Sequence, residues 1–226
     1  MENSSNSQYR GRSKYNESTA RSYEEQRPDV KHAAEMRLID RAFAYIPTSH
    51  RVLDAPCGGG RVTAHLARKN YAVSAADLSE SMLEIARANL AVQGLACTVE
   101  KQDLEQMTLP DRSFDTVLSF RLFHHFPEPG IRQKVISELC RVADRYVVLS
   151  YFSPFSVTSF KRRLRELRGG RKSEKYSTSL REIDLYFQQA GFRLVKNFAR
   201  FPLLHTLHLA IFERIDTDRS GSATAQ

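Results

Sequence analysis

The stretch from Arg51 to Leu78 constrains this chain more than any other. Arg51-Val52-Leu53-Asp54 is an apolar run that ends in an acid, and Ala55-Pro56-Cys57-Gly58-Gly59-Gly60 is a glycine turn. A short helical pattern follows, then Tyr71-Ala72-Val73-Ser74-Ala75-Ala76-Asp77, a second apolar run that ends in an acid. This is the pattern of a strand, loop, helix and strand. Glycines let the backbone approach a ligand closely, and the turn leads into the N-terminus of a helix near Gly60, where N–H groups attract negative charge. Asp77, at the end of the second strand, stands where a carboxylate accepts hydrogen bonds from ribose hydroxyls. The unit reads as a site for a nucleotide-like ligand. The Gly-x-Gly-x-x-Gly spacing of a dinucleotide site is incomplete, because Gly58 and Gly60 are followed by Thr63.

The rest of the chain repeats the alternation. Lys31 to Ile46 places Ile39, Ala42, Phe43 and Ile46 on one helical face, ended by Pro47. After Asp77, Ser79 is a plausible N-cap for a helix with Met82, Leu83, Ile85, Ala86 and Leu90 inward, closed by Gly94. Leu95 to Glu100, Phe114 to Phe120 and Arg145 to Tyr151 read as further strands, and Ile131 to Val142 as a helix between the last two. Five rounds of strand and helix point to a parallel sheet covered on both faces.

Beyond Tyr151 the character changes. Val157, Phe160, Leu164 and Leu167 form one helical stripe among basic residues, and from Lys161 to Lys175 there are eight basic and two acidic side chains. This pattern fits a lid over residues 151–178 that meets an anionic membrane or RNA, and equally a helix that packs on the domain with its charges in water. A helix from Ser177 to Ala190 and strands over Phe192 to Phe201 and Leu207 to Glu213 complete the ordered part. Residues 1–19 read as a disordered arm, 20–214 as one domain and 215–226 as a disordered tail. A chain of 226 residues, 41% hydrophobic, supports one substantial core. Widely spaced Cys57, Cys97 and Cys140, no metal-ligand spacing and no secretory or membrane-spanning segment predict a cytoplasmic protein without a metal.

Val52 to Gly60 resembles motif I of the class I S-adenosylmethionine-dependent methyltransferases, with Asp54, Gly58 and Gly60 on the pattern and Pro56 in place of its first glycine. Proline has no N–H, so one backbone contact is lost. The resemblance implies a Rossmann-like, doubly wound, mostly parallel seven-stranded sheet whose last strand is antiparallel and inserts between the sixth and its neighbour. It implies S-adenosylmethionine as cofactor, held by Asp54, Ala55, Pro56, Cys57, Gly58, Gly60, Asp77, Leu78 and Met82. Asp103 would face the adenine amino group with Leu104 against the ring, and Ser119 and Phe120 would wall the crevice beyond the fourth strand. Ala20 to Arg27 is similar to the segment that precedes quinone-biosynthesis methyltransferases, where Tyr23 and Arg27 would cover the cofactor; a solvated helix with one aromatic anchor is the other reading.

Methyl transfer relies on alignment more than on a strong catalytic group, and no triad is present. His124 and His125, just past the fourth strand, are the candidates for a general base, or else pack beside the cofactor. The Asn/Asp/Ser-Pro-Pro-Tyr/Phe signature of base-amino methylation is replaced by Ser119-Phe120-Arg121-Leu122, which favours a small-molecule acceptor, lipid- or quinone-like, methylated on oxygen or carbon. An RNA methyltransferase that uses Lys161 to Lys175 and a noncatalytic cofactor-binding module are the alternatives. A dehydrogenase is disfavoured by Thr63 and by the lack of a second nucleotide-binding half.

Overall fold

In the computed structural model of the protein, residues 29–169, 175–199 and 206–215 are described. Tyr23, Arg27, the arm over residues 1–19 and the tail from 216 lie outside them.

Helix α1 (Asp29–Phe43) leads into β1 (Arg51–Asp54), α2 (Arg61–Ala67), β2 (Ala72–Asp77), α3 (Glu80–Val92) and β3 (Thr98–Lys101). Next come β4 (Phe114–Ser119), a 3-10 turn (Phe123–His125), α4 (Pro129–Val142) and β5 (Ala143–Phe152). The described residues continue with α5 (Val157–Leu167), α6 (Leu180–Gln189), β6 (Phe192–Ala199) and β7 (Leu207–Arg214). The strands form one sheet in the order β3-β2-β1-β4-β5-β7-β6. Strands β1 to β5 are parallel, with Val52 beside Val73 and Leu53 beside Val117, while β7 runs antiparallel between β5 and β6. The expected doubly wound sheet and the inserted terminal strand are both present.

Each central strand is buried on both sides, which is why it reads as an unbroken apolar run. Alternate residues divide between two cores. Leu53, Val117, Val147, Leu149 and Phe212 face α4 and α6, and Val52, Val73, Leu118, Val148 and Ile211 face α1 and α2. Ala75 meets Leu83 and Ala86 of α3. On the first side Phe187 of α6 stacks on Phe212 with ring centroids 3.6 Å apart. On the second, Tyr71 donates its hydroxyl to the carbonyls of Phe43 and Ile46, closing the end of α1 over β2.

Several boundaries differ from the periodicity reading: α1 ends at Phe43 rather than Ile46, α6 begins at Leu180 rather than Ser177, and β5 begins at Ala143 rather than Arg145. Strand β3 starts at Thr98 rather than Leu95, since Gly94 and Leu95 are spent on closing α3 through Leu95 N–H to Leu90 O. The connection from β3 to β4, residues 102–113, carries no helix, so strand and helix alternate less regularly than expected. Its backbone is satisfied from outside: Arg141 donates to the carbonyls of Met107 and Leu109, and Glu138 accepts the Met107 N–H. Side chains of α4 do there what helical hydrogen bonds do elsewhere.

Phe187 is fully buried, and Phe187→Ala is expected to cost roughly 3–5 kcal/mol in urea unfolding. A loss below about 1 kcal/mol would mean that the α6 face is not a packed core.

Candidate active site

The parallel strands end together, and the turns beyond β1, β2, β3 and β4 open on one crevice at the carboxyl edge of the sheet, the place where such folds bind ligands. The turn after β1 is pinned on three sides. Ala55 donates its N–H to Leu118 O of β4, Cys57 donates to Ala76 O of β2, and Gly58 donates to the Asp77 carboxylate at 2.9 Å. Gly58 and Gly60 have φ of +53° and +79°, in the left-handed region that glycine tolerates. The two differ in their surroundings. A Cβ at Gly60 would lie 3.1 Å from that of Ala86, so this glycine lets α3 pack close; a Cβ at Gly58 would meet nothing within 4 Å, so that glycine faces open space.

Asp54 and Asp77 are both buried, at 1% and 8% exposure. Asp77 spreads its two oxygens between backbone donors, Gly58 N–H and Ser79 N–H, each at 2.9 Å. Burial pushes its pKa up and these N–H groups pull against the shift. Asp54 accepts the Thr63 hydroxyl at 2.7 Å on one oxygen, while its other oxygen is buried without a partner. Burial raises its pKa to about 7, opposed by Thr63 and the charge of Arg61. Thr63 is the first-turn residue that stands where a third small residue was sought, and its backbone and side chain both turn to Asp54.

The other expected contacts fall around this pair. Leu78 is half-buried between Asp77 and the Ser79 N-cap, and Met82 is buried with its N–H on the Ser79 cap. Ala55 lies in the α4 core, Pro56 is half-buried beside it, and Cys57 is buried against Ala75, Leu83 and Ala86. Asp103 is half-buried and accepts the Glu105 N–H, while Leu104 packs with Met107, Phe123 and Phe126. Gln102 N–H to Asp77 O ties that turn to the end of β2. Ser119 and Phe120 are buried at the end of β4.

His124 is buried, its ring stacked on Phe152 at 4.0 Å and beside the half-buried His125 at 4.2 Å. Its carbonyl accepts the Tyr176 N–H, so the segment returning from α5 is fastened to the 3-10 turn.

An ionic cluster that sequence reasoning missed closes one end. Glu35 of α1, 1% exposed, takes Arg121 at 2.7 Å and Arg61 at 3.3 Å, and Arg61 also meets His32 at 2.7 Å. Arg121 has φ of +64° and donates its N–H to the Ser150 hydroxyl. Arg61 follows the glycine turn and Arg121 follows β4, so Glu35 ties α1 to the residues just past both. One signal was present: Glu35 stands four residues before Ile39 and seven before Ala42, an acid on the stripe that α1 buries.

Residues 52–145 match the family model described as a methyltransferase domain, a span from β1 into β5 that takes in the glycine turn, Asp54, Asp77, Asp103 and the histidine pair and leaves out His32, Glu35 and Ser150. That stretch of the chain is similar to a methyltransferase domain. Over 78 residues the chain is 35% identical to a ubiquinone biosynthesis O-methyltransferase of Coxiella burnetii, covering 34% of this chain and 33% of that one. Over 111 residues it is 37% identical to the methyltransferase GfsG of Streptomyces halstedii, covering 47% and 39%. The matched segments thus span only about a third of the length of the first of these relatives. The fold is similar to that of magnesium protoporphyrin IX methyltransferase from Synechocystis with S-adenosylhomocysteine bound, with TM-score 0.70, 23% identity, and 81% and 84% of the two chains covered.

The Asp54 shift has a measurable sign. Its native pKa is raised from 3.8 to about 7, so the native state holds a proton the unfolded chain releases, and stability is full at low pH and lost as pH rises through that window. The steepest loss is about 1.4 kcal/mol per pH unit from this group, and Asp54→Asn is expected to remove it in unfolding curves taken between pH 5 and 8 without added ligand. An identical pH slope in the variant would contradict a protonated, buried Asp54.

Proposed function

We propose that this protein transfers a methyl group from S-adenosylmethionine to a small hydrophobic acceptor, on oxygen or carbon. The observation that carries the reading is a pair of buried carboxylates at the ends of adjacent parallel strands, one with an unpartnered oxygen, on either side of a glycine with open space before it. These residues fit the cofactor. The unpartnered Asp54 oxygen suits an ammonium group, Asp77 has acceptor capacity left for two hydroxyls, and Gly58 leaves room for the ligand to lie against the backbone.

When bound, S-adenosylmethionine supplies an electrophilic methyl group on a sulfonium. The chain's own residues do the rest. Asp77 orients the ribose, Asp103 and Leu104 receive the base, and Leu78 and Met82 line the floor beside Cys57. Ala55, Pro56 and Gly60 shape the turn. Ser119 and Phe120 wall the acceptor side and exclude water, which favours transfer from a charged donor. His125, half-buried next to the stacked His124, takes the proton from an acceptor hydroxyl or acidic carbon. A lipid- or quinone-like acceptor agrees with the names of the ubiquinone and porphyrin enzymes to which the chain is similar. Cys57, Cys97 and Cys140 are free thiols, in keeping with work in a reducing cytoplasm.

Asp77→Ala is expected to weaken S-adenosylhomocysteine binding by roughly tenfold or more in calorimetry, the loss of charge-assisted hydrogen bonds at about 1.5–3 kcal/mol; unchanged affinity would remove Asp77 from the ribose site. Wild-type affinity should itself rise roughly tenfold from pH 6 to pH 8, because a cation on Asp54 needs the ionised form of a group with pKa about 7. His125→Gln should leave that affinity alone and slow labelled-methyl transfer to solvent-extracted metabolites by roughly a hundredfold. Transfer at the wild-type rate would leave His125 a packing residue.

A further inference from the structure

Helix α5 is built inside out. It springs from the carboxyl end of β5 through Ser153 to Ser156, and its buried contacts are polar: Ser159 donates its hydroxyl to Ser153 O at 2.8 Å and its N–H to the Ser156 hydroxyl at 3.1 Å. Ser153, Ser156 and Ser159 are all buried. The apolar stripe faces the solvent instead, with Phe160 67%, Leu167 84% and Val157 44% exposed, and Phe155, just ahead of the helix, 75%. Lys161, Arg165 and Arg168 are exposed on the same helix and the turn that ends it. Packing of the stripe on the domain, one of the two readings the sequence left open, is therefore overturned.

Exposed bulky apolar side chains in one row mark an interaction surface, because leaving them in water forfeits about 1.5–3 kcal/mol each. We propose that α5 and Phe155 form a docking surface for an anionic lipid bilayer. The helix has 11 residues, so it lies flat over roughly 16 Å, with the row Phe155, Val157, Phe160, Leu164 and Leu167 in the acyl boundary. Lys161, Arg165 and Arg168 meet lipid phosphates at the sides, and the +6 balance from Lys161 to Lys175 adds long-range attraction. A nucleic acid would use the cations and leave the aliphatic row in water, which is why the lipid surface fits better.

The placement matters for the site. Past α5 the chain returns along the crevice edge, with Tyr176 N–H on His124 O and Thr178 N–H on Phe152 O, and Lys175 over the Phe152 ring at 5.9 Å. A docked α5 holds that edge against the membrane, and an acceptor dissolved in lipid reaches the His124-His125 end without crossing water. The docking itself does not depend on the proposed methyl transfer; only the delivery of an acceptor does.

The chain has no tryptophan, so Phe160→Trp gives a single reporter for vesicle binding. With the full chain, emission should shift to the blue on phosphatidylcholine vesicles containing phosphatidylglycerol and stay unchanged on phosphatidylcholine alone. Lys161→Gln, Arg165→Gln and Arg168→Gln together should weaken binding roughly a hundredfold, about fivefold for each basic side chain. Phe155→Ser with Leu167→Ser should abolish sedimentation with vesicles while S-adenosylhomocysteine affinity stays the same. No response to either vesicle, or an equal response to both, overturns the proposal, and so does retention on RNA with no response to vesicles. Cofactor affinity measured in the same samples tests the methyltransferase reading separately, since it fails or holds whatever the vesicles do.

Discussion

Two carboxylates buried side by side at the ends of parallel strands hold the site together. Burying an ionised acid costs several kcal/mol unless donors converge on it. For Asp77 the donors are backbone N–H groups from the glycine turn and from the start of α3, so the same bonds that make its burial affordable also fix both turns. For Asp54 the donor is Thr63 at the start of α2, and one oxygen is left over. The turn geometry and the ligand geometry are therefore one problem with one solution. The crevice stays in shape because the acids need it, and the acids stay available because the crevice does not fully satisfy them.

A second constraint acts from outside the sheet. Glu35 lies on the buried stripe of α1 and carries a charge that water does not reach, so α1 can dock only where cations are waiting. Arg61 and Arg121 stand there because the glycine turn and the end of β4 have already been brought together by the register of β1 with β4. Assembly of the sheet thus precedes, in the logic of the contacts, the docking of α1. Breaking such a buried pair from one side costs more than the pair contributes, which makes it a device for specifying position rather than for adding stability.

Much of this was legible in one dimension. Strand runs with unbroken burial, Ser79 and Gly94 at the ends of α3, and acids closing β1 and β2 are all local patterns, and each is where periodicity put it. What failed to show was non-local. The missing helix between β3 and β4 reflects backbone groups that Arg141 and Glu138 satisfy from α4, far along the chain. Arg121 looked like an ordinary residue past a strand, and only the Ser150 hydroxyl and Glu35 explain its left-handed backbone.

By itself the sequence determined the doubly wound sheet, the glycine turn and the acids beside it, because hydrophobic period and turn chemistry act over a few residues. Tertiary structure alone decided which oxygen of Asp54 is left over, which arginines Glu35 of α1 meets, and that α5 turns its apolar row outward. The reason is that amphipathic spacing says a stripe exists but not what it meets. Ser153, Ser156 and Ser159 had to bond to one another before the apolar side of α5 could be known to face the solvent.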